Sequence, residues 1–308
     1  MMRSIGKFLL LAVLAVALLA GAAAAAIYLL SSARLERRYA VTAAPVALPS
    51  DAAALARGGH LATVWGCRSC HGDDFGGAAV IDDLAMGRVF GPNLTAGCGG
   101  LGAGLTTADW VRAVRQGVGP DGRALRIMPS KDYAGMSDAD LGSLIAYIRS
   151  LPPVDRKPPP VALGPVSRLL LVTGKLKLSA DVIDHSRPAV PTSPVEAPTP
   201  AYGAYLASTC TGCHNPHFSG GRIAEGPPSW PPAANLTQGP GSAVKGWTEQ
   251  DFIRTLRTMR VPDGRPVNPV MPSVFGQMND TELRAIWAYI QTLPAAPTGR
   301  GPQDGAGS

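Results

Sequence analysis

The chain has 308 residues, 46% of them hydrophobic, which suffices for two packed domains and excludes a wholly disordered polymer. Its net charge of +6 divides into +4 over residues 1–50, −1 over 51–153, +2 over 154–198, +1 over 199–295 and 0 beyond. The surplus lies in the first and middle segments, so neither prospective domain carries the basic stripe that a phosphate backbone requires, and no nucleic-acid partner is expected.

Phe8 to Leu30 is a run of 23 residues without a charge. About 20 apolar residues cross a bilayer as a helix. Residues 1–33 therefore predict a membrane anchor or an export signal. The run continues through Ile27, Tyr28, Leu29 and Leu30 instead of ending in a short polar cleavage site, which favours the anchor. Arg34, Arg37 and Arg38 on one side outnumber Arg3 and Lys7 on the other, so loop charge does not set the orientation.

Further along, landmarks recur at an interval of 142 or 143 residues. Cys67-Arg-Ser-Cys70-His71 returns as Cys210-Thr-Gly-Cys213-His214, an offset of 143. Asn93-Leu94-Thr95 returns as Asn235-Leu236-Thr237, Asp121-Gly122-Arg123 as Asp263-Gly264-Arg265, and Met128-Pro129-Ser130 as Met271-Pro272-Ser273. Such an internal repeat predicts two similar domains, over 51–153 and 199–295. In each, a first helix runs into the Cys-x-x-Cys-His. A middle helix is expected from Thr106 or Thr107 through Val114, and from Thr248 through Met259. A last helix places Leu141, Leu144, Ile145 and Ile148, or Leu283, Ile286, Trp287 and Ile290, on one face. Ser137 with Asp140 and Asn279 with Glu282 supply its capping oxygen and third-position acid; Leu151-Pro152 and Leu293-Pro294 end it. Residues 154–198 are proline-rich and predict an extended linker. Their apolar run Leu169-Leu170-Leu171-Val172 is expected to pack between the two domains. Residues 296–308 read as a disordered tail.

Cys-x-x-Cys-His has a specific chemistry. Two thiols add to haem vinyl groups as thioethers, and the adjacent His ligates the iron. One copy alone reads equally as a redox dithiol or half a zinc site. Zinc sites pair two such elements, whereas here each pair lies within its own repeat, and no βαβ context for a thioredoxin-like site is present. Two covalent haems c are therefore expected on Cys67, Cys70, His71 and on Cys210, Cys213, His214. For the sixth iron ligand, His71 to Met128 and His214 to Met271 both span 57 residues, which singles out these methionines. Met86, Met136, Met259 and Met278 compete; Met136 and Met278 also correspond, but each immediately precedes the capped final helix. A thioether ligand raises the potential and suits an electron carrier.

With these motifs in place, the chain resembles tandem class I cytochrome c domains: a mainly α fold behind an N-terminal transmembrane helix, over residues 51–295 apart from the linker. The resemblance implies that the Pro92 carbonyl, in Gly91-Pro92-Asn93-Leu94, orients His71, with Ala234 standing in the second repeat. It also implies that Leu94 and Leu236 pack on the haem faces, and that Tyr147 and Tyr289 mark where the last helix crosses the first near Gly58 and Gly203. The whole resembles membrane-anchored cytochrome subunits, which implies a periplasmic dehydrogenase as electron donor and an oxidase or another cytochrome as acceptor. Related subunits acting on alcohols or gluconate usually carry three haems, against two motifs here. Because haem c is attached outside the cytoplasm, residues 1–7 are expected inside and the haem domains in the periplasm, at the inner membrane. A dihaem peroxidase with one open iron site is the alternative, and a gas sensor a third reading; both need a weak or missing distal ligand.

Cys98 reads as an incidental free thiol, and His60, His185 and His217 as exposed or loop histidines. The two Asn-Leu-Thr triplets match a glycosylation pattern by coincidence, and the Asp-Gly-Arg triplets read as turns whose Arg123 or Arg265 is available to a haem propionate.

Overall fold

The computed structural model describes residues 2–188, 190–223, 226 and 229–300. Helix α1 (Met2–Glu36) is exposed along its apolar length and is, among the described residues, the one helix long and apolar enough to cross a membrane. After it, Tyr39 donates its amide to Gly122 O at 2.8 Å, and Arg38 pairs in an isolated bridge with Arg123, so the chain leaves the helix already attached to the first repeat.

That repeat begins with α2 (Ala52–Val64) and α3 (Cys67–His71), followed by strands β1 (Ala79–Asp83) and β2 (Gly87–Phe90). It continues with α4 (Thr107–Gln116), α5 (Ser130–Tyr133) and α6 (Asp138–Ser150). Thr106 caps α4 in a reciprocal box with Asp109, and Ser137 Oγ accepts the Asp140 amide at 3.1 Å to start α6. The helices hold together because α2 and α6 bury Leu61, Leu141 and Ile145 completely. Each such side chain contributes roughly 1.5–3 kcal/mol of burial. Gly58 sets how closely they approach: a Cβ there would lie 2.0 Å from Ser143 O and 2.7 Å from Tyr147 Cβ.

The second repeat rebuilds this frame with α9 (Pro200–Leu206), a 3-10 turn (Ala207–Cys210), α10 (Thr211–His214), α11 (Glu249–Thr258), a 3-10 turn (Ser273–Gln277) and α12 (Asp280–Ile290). Gly203 sits where Gly58 does, with a Cβ placed 1.9 Å from Ala285 O and 2.8 Å from Tyr289 Cβ. Both tyrosines therefore stand at the helix crossing that the resemblance implied.

Three expectations are corrected. The linker is not simply extended: between the repeats lie β3 (Ala162–Leu163), α7 (Pro165–Val172) and α8 (Ser179–Val182). β3 completes an antiparallel sheet of order β1-β2-β3, pairing Gly87 with Leu163 and Arg88 with Ala162. Gly87 has φ 106° and a Cβ would meet Ala162 O at 2.2 Å, so glycine is required for that pairing. The apolar run 169–172 does not fill the groove between the repeats. It forms the end of α7, whose Leu171 joins Leu35, Val89 and Val118 in a second small core at the foot of α1. The periodicity of 3.6 within eight residues, masked by flanking prolines, gives α7 a buried stripe of Ser167 and Leu171.

The tail is also ordered further than expected. Ala296 is fully buried and Gly299 N donates to Ser219 O at 3.0 Å; residues 301–308 lie outside the described residues. The cause is the Asn-Leu-Thr triplet. Asn235 Nδ2 donates to Ala296 O at 2.9 Å and Ala296 N donates to Thr237 Oγ1 at 3.1 Å. Asn93 Nδ2 and Thr95 Oγ1 hold Val154 in the same way, at 2.7 Å to its carbonyl and 2.9 Å from its amide. All four polar side chains are buried, so the triplets are clips for the strand leaving each last helix.

Candidate haem sites

In each repeat the Cys-x-x-Cys-His occupies one helical turn whose His is buried. His71 Nδ1 lies 3.0 Å from Pro92 O, and His214 Nδ1 lies 2.8 Å from Ala234 O. Burial holds both imidazoles below their ordinary value, against the opposing pull of those carbonyls, so each ring is neutral at pH 7. A neutral ring donating from Nδ1 keeps its Nε2 lone pair free, the tautomer an iron ligand needs. Pro92 can come this close because Gly91 precedes it: a Cβ at Gly91 would lie 1.9 Å from Cys70 O.

The cysteines are partly accessible by area but enclosed enough that burial pushes the Cys67 and Cys210 thiols up to about 12, and raises Cys70 as well. Among the described residues, no group of three His, Cys, Asp or Glu side chains converges as a metal site.

Around each motif the same apolar wall recurs. Leu94 N donates to Phe75 O and Leu236 N to Phe218 O, both at 2.8 Å. The two phenylalanines take the left-handed conformation, with φ 55° and 57°, and meet Tyr147 and Tyr289 edge-on at 6.2 and 5.5 Å. Leu94, Met128 and Cys67, like Leu236, Met271 and Cys210, pack half-buried against the main core, whereas Met136 and Met278 are fully buried within it. Met86 lies away from this wall; its carbonyl accepts Gly164 N and Ser167 Oγ. Trp65 Nε1 and Trp110 Nε1 are buried donors with no protein partner, of the kind a haem propionate takes. The residues present therefore fit a covalent haem in each repeat.

Comparison with known proteins identifies the two domains. Residues 200–294 match the family described as Cytochrome c, and residues 53–148 match Cytochrome C oxidase, cbb3-type, subunit III. The chain carries two cytochrome c domains. Their Cys-x-x-Cys-His motifs attach haem c covalently. The chain is 27% identical over 265 residues to the fructose dehydrogenase cytochrome subunit of Gluconobacter japonicus, covering 78% of this chain and 53% of that one. It is 26% identical over 295 residues to the cytochrome c subunit of alcohol dehydrogenase (quinone) from Gluconobacter oxydans, covering 83% and 58%. A diheme cytochrome c-type protein of Cereibacter sphaeroides is 29% identical over 269 residues, covering 78% and 86%. The chain thus spans little more than half the length of the first two relatives.

The cytochrome c domains face each other through their haem motifs. Asp132, in α5 just after Met128, reaches the second motif: a Cβ at Gly212 would lie 2.9 Å from its Oδ2. In the other direction, a cavity of about 430 Å³ is lined by Arg68, Ser69 and Asp73 of the first domain and by Val274 and Gln277, just after Met271. Trp65 lies between Tyr133 and Tyr205, at ring separations of 5.9 and 5.7 Å, and Tyr133 OH donates to Trp65 O at 3.1 Å.

A polar cluster beside this contact is the main feature that sequence reading missed. Arg57 donates to Asp140 at 3.0 and 3.1 Å and to Glu282 at 3.3 Å; His60 Nε2 lies 2.7 Å from Glu282 Oε2. Tyr205 OH donates to Asp140 at 2.7 Å. His60 is thus an interdomain partner, not a loop histidine. Asp140 and Glu282 are the third-position acids of α6 and α12, so the capping pattern gave a signal for them, but not for what reaches them. Of the other residues singled out in the sequence, His185 is held by Gln116 and Ala180 O, His217 is exposed, and Cys98 is an exposed free thiol. Arg123 and Arg265 turn away to surface ion pairs, Arg123 with Glu36 at 2.6 Å and Arg265 with Asp263 at 2.7 Å.

Proposed function

We propose that this chain is a one-electron relay, taking electrons from a dehydrogenase on the periplasmic face of the inner membrane and delivering them to an oxidase or another cytochrome. The observation that carries the reading is the contact between domains, where each haem motif abuts the segment following the other domain's methionine. Bound haem c supplies a ferric/ferrous couple, and His/Met coordination sets it high.

The chain's own residues then have distinct roles. Cys67 and Cys70, and Cys210 and Cys213, hold the group; His71 and His214 ligate it; the carbonyls of Pro92 and Ala234 fix the imidazole tautomer. Met128 and Met271 would serve as the remaining iron ligands and so would exclude substrates from the iron. Leu94 and Leu236, with Phe75 and Phe218 behind them, keep water off its faces. The names of the relatives from Gluconobacter support a dehydrogenase as donor. Covalent haem attachment outside the cytoplasm supports the periplasmic side, with α1 as the single span.

The test is the absorption spectrum of the purified chain, ferric and ferrous, with a haem count, for the parent and for Met128→Ala and Met271→Ala. Two low-spin haems, a methionine-to-ferric charge-transfer band that weakens in each variant, and no carbon monoxide binding by the parent are expected. High-spin ferric iron or ready carbon monoxide binding in the parent would sink the relay in favour of an open-site enzyme.

A further inference from the structure

The foot of α1 and the linker helix α7 form a surface that the relay does not use. Along α1 the side chains from Ile5 to Leu30 are exposed apart from the half-buried Ile27; burial begins at Ser31, where the apolar run ends. There α7 is clamped onto it. Arg168 Nη1 donates to Ser31 Oγ at 2.7 Å and to Ser32 Oγ at 3.1 Å, and its guanidinium lies 4.3 Å from the Tyr28 ring centre. Arg34 Nη1 donates to Leu171 O at 2.6 Å. α7 is therefore fixed beside the last residues of the membrane-spanning run.

Its opposite side is left apolar and open. Outside α1, eight large apolar side chains are exposed among the described residues, and four of them, Leu84, Val166, Leu169 and Val182, gather around this foot. Val166 and Leu169 are one helical turn apart on α7, 40% and 44% exposed. Leu84, 96% exposed, caps the β1-β2 turn, where the next carbonyl, of Ala85, accepts the Val166 amide at 3.0 Å. Val182 lines a shallow depression with Arg34, Arg37 and Lys177. Exposed Lys175 and Lys177 follow α7 directly, and the one acid in that depression, Asp181, is engaged by Arg37 at 3.3 Å and Tyr39 OH at 2.7 Å. Apolar side chains with unneutralised Lys175 and Lys177 on the α8 side, and with Asp82 and Asp83 only beside Leu84, continuous with a spanning helix, match the headgroup-to-acyl boundary of an anionic bilayer.

We propose that α7 lies in the membrane interface, with Leu84, Val166, Leu169 and Val182 seated at the acyl boundary and Arg34, Lys175 and Lys177 among anionic headgroups. The proposal rests on α1 spanning the bilayer. Two clamped contacts, in place of one flexible tether, then hold the cytochrome pair at a fixed tilt. The first domain is the one held against the membrane, because it contains β1-β2 and α7 and α8 pack on it; Ser179 Oγ at the start of α8 donates to Met128 O at 2.9 Å.

The test uses the full haem-loaded chain with Cys98→Ser, reduced so that both irons are ferrous and diamagnetic, in bilayers of phosphatidylcholine and phosphatidylglycerol. A nitroxide is placed in turn at Leu29→Cys, Val166→Cys, Leu169→Cys and, as the aqueous control, Asp263→Cys. Relaxation by dissolved oxygen is compared with relaxation by a water-soluble nickel chelate. Labels at 29, 166 and 169 are expected to favour oxygen several-fold over the label at 263. A lipid-immersed label at 29 with water-exposed labels at 166 and 169 would overturn the proposal, leave the anchor intact and assign the patch to a partner subunit. A water-exposed label at 29 would overturn the anchor and the proposal together.

Discussion

Glu282 offers the sharpest test of how the two cytochrome c domains are joined. Its side chain is 0% exposed and accepts from His60 at 2.7 Å, Arg57 at 3.3 Å and its own cap amide at Asn279 at 2.9 Å. Glu282→Gln preserves volume and the Asn279 contact but removes the charge that His60 and Arg57 share. Hydrogen bonds to charged groups contribute about 1.5–3 kcal/mol each, and stripping one partner from a buried pair costs about 3–5 kcal/mol. Arg57 keeps both bonds to Asp140, so the net cost falls to roughly 2–3 kcal/mol. Urea unfolding at neutral pH should show the parent as one transition and the variant as two, the domains having lost their coupling. The pH dependence checks the cause. Burial alone would raise the Glu282 carboxyl, but the His60 bond and charge, the Asn279 amide and Arg57 outweigh it and hold it below its ordinary value. A depressed carboxylate contributes stability above its unfolded pKa of about 4.3, and that contribution is lost as pH falls through the folded value. Parent and variant should therefore converge as the pH falls through the depressed folded value, below the ordinary carboxylate range. An unchanged urea midpoint at neutral pH, or a difference that persists in acid, would refute the electrostatic account.

Other consequences follow from close approaches. Gly58→Ala and Gly203→Ala each gain about 1 kcal/mol of helix propensity yet drive a Cβ into a backbone carbonyl, for a net loss of about 2 kcal/mol or more; melting should show it, with Gly135→Ala, which meets nothing within 4 Å, close to neutral. Gly91→Ala pushes the Pro92 loop off Cys70, and a pyridine haemochrome assay should count one haem per chain where the parent holds two. Asn235→Ala leaves the buried Ala296 carbonyl with Thr237 Oγ1 as donor and strands the Thr237 amide, costing roughly 1–3 kcal/mol; amide exchange should show residues 295–300 losing protection.

The haem motifs were legible because they are written twice. Asn-Leu-Thr recurs after 142 residues and Cys-x-x-Cys-His and Met-Pro-Ser after 143, and the structure packs Cys67, Leu94 and Met128, like Cys210, Leu236 and Met271, against one core. Phe75 and Phe218 share that interval and were overlooked, since a left-handed phenylalanine has no local pattern to betray it. The linker was misread because proline density outweighed an eight-residue amphipathic helix, and because strands of five, four and two residues carry too little alternation to detect. The buried Asn and Thr of each clip matched a surface glycosylation pattern, which sequence alone does not separate from a buried turn.

What joins the domains, by contrast, is written once. Arg57, His60, Trp65, Tyr202 and Tyr205 have no counterparts at the repeat interval, and the second Cys-x-x-Cys-His is preceded by a 3-10 turn where the first follows a longer helix. A duplicated pocket is constrained to stay the same in both copies, because each must hold the same group with the same bonds. A contact between the copies is free to diverge, and here it has. α2 supplies Arg57 and His60; α6 and α12 supply the acids; α9 supplies Tyr202 and Tyr205. Because the acids sit at the N-termini of α6 and α12, they serve two purposes at once, favouring the helix start and gripping the other domain's cluster. Disturbing that cluster should therefore loosen the relay before it disturbs either haem site, so haem content and ligation should survive Glu282→Gln while the single unfolding transition does not.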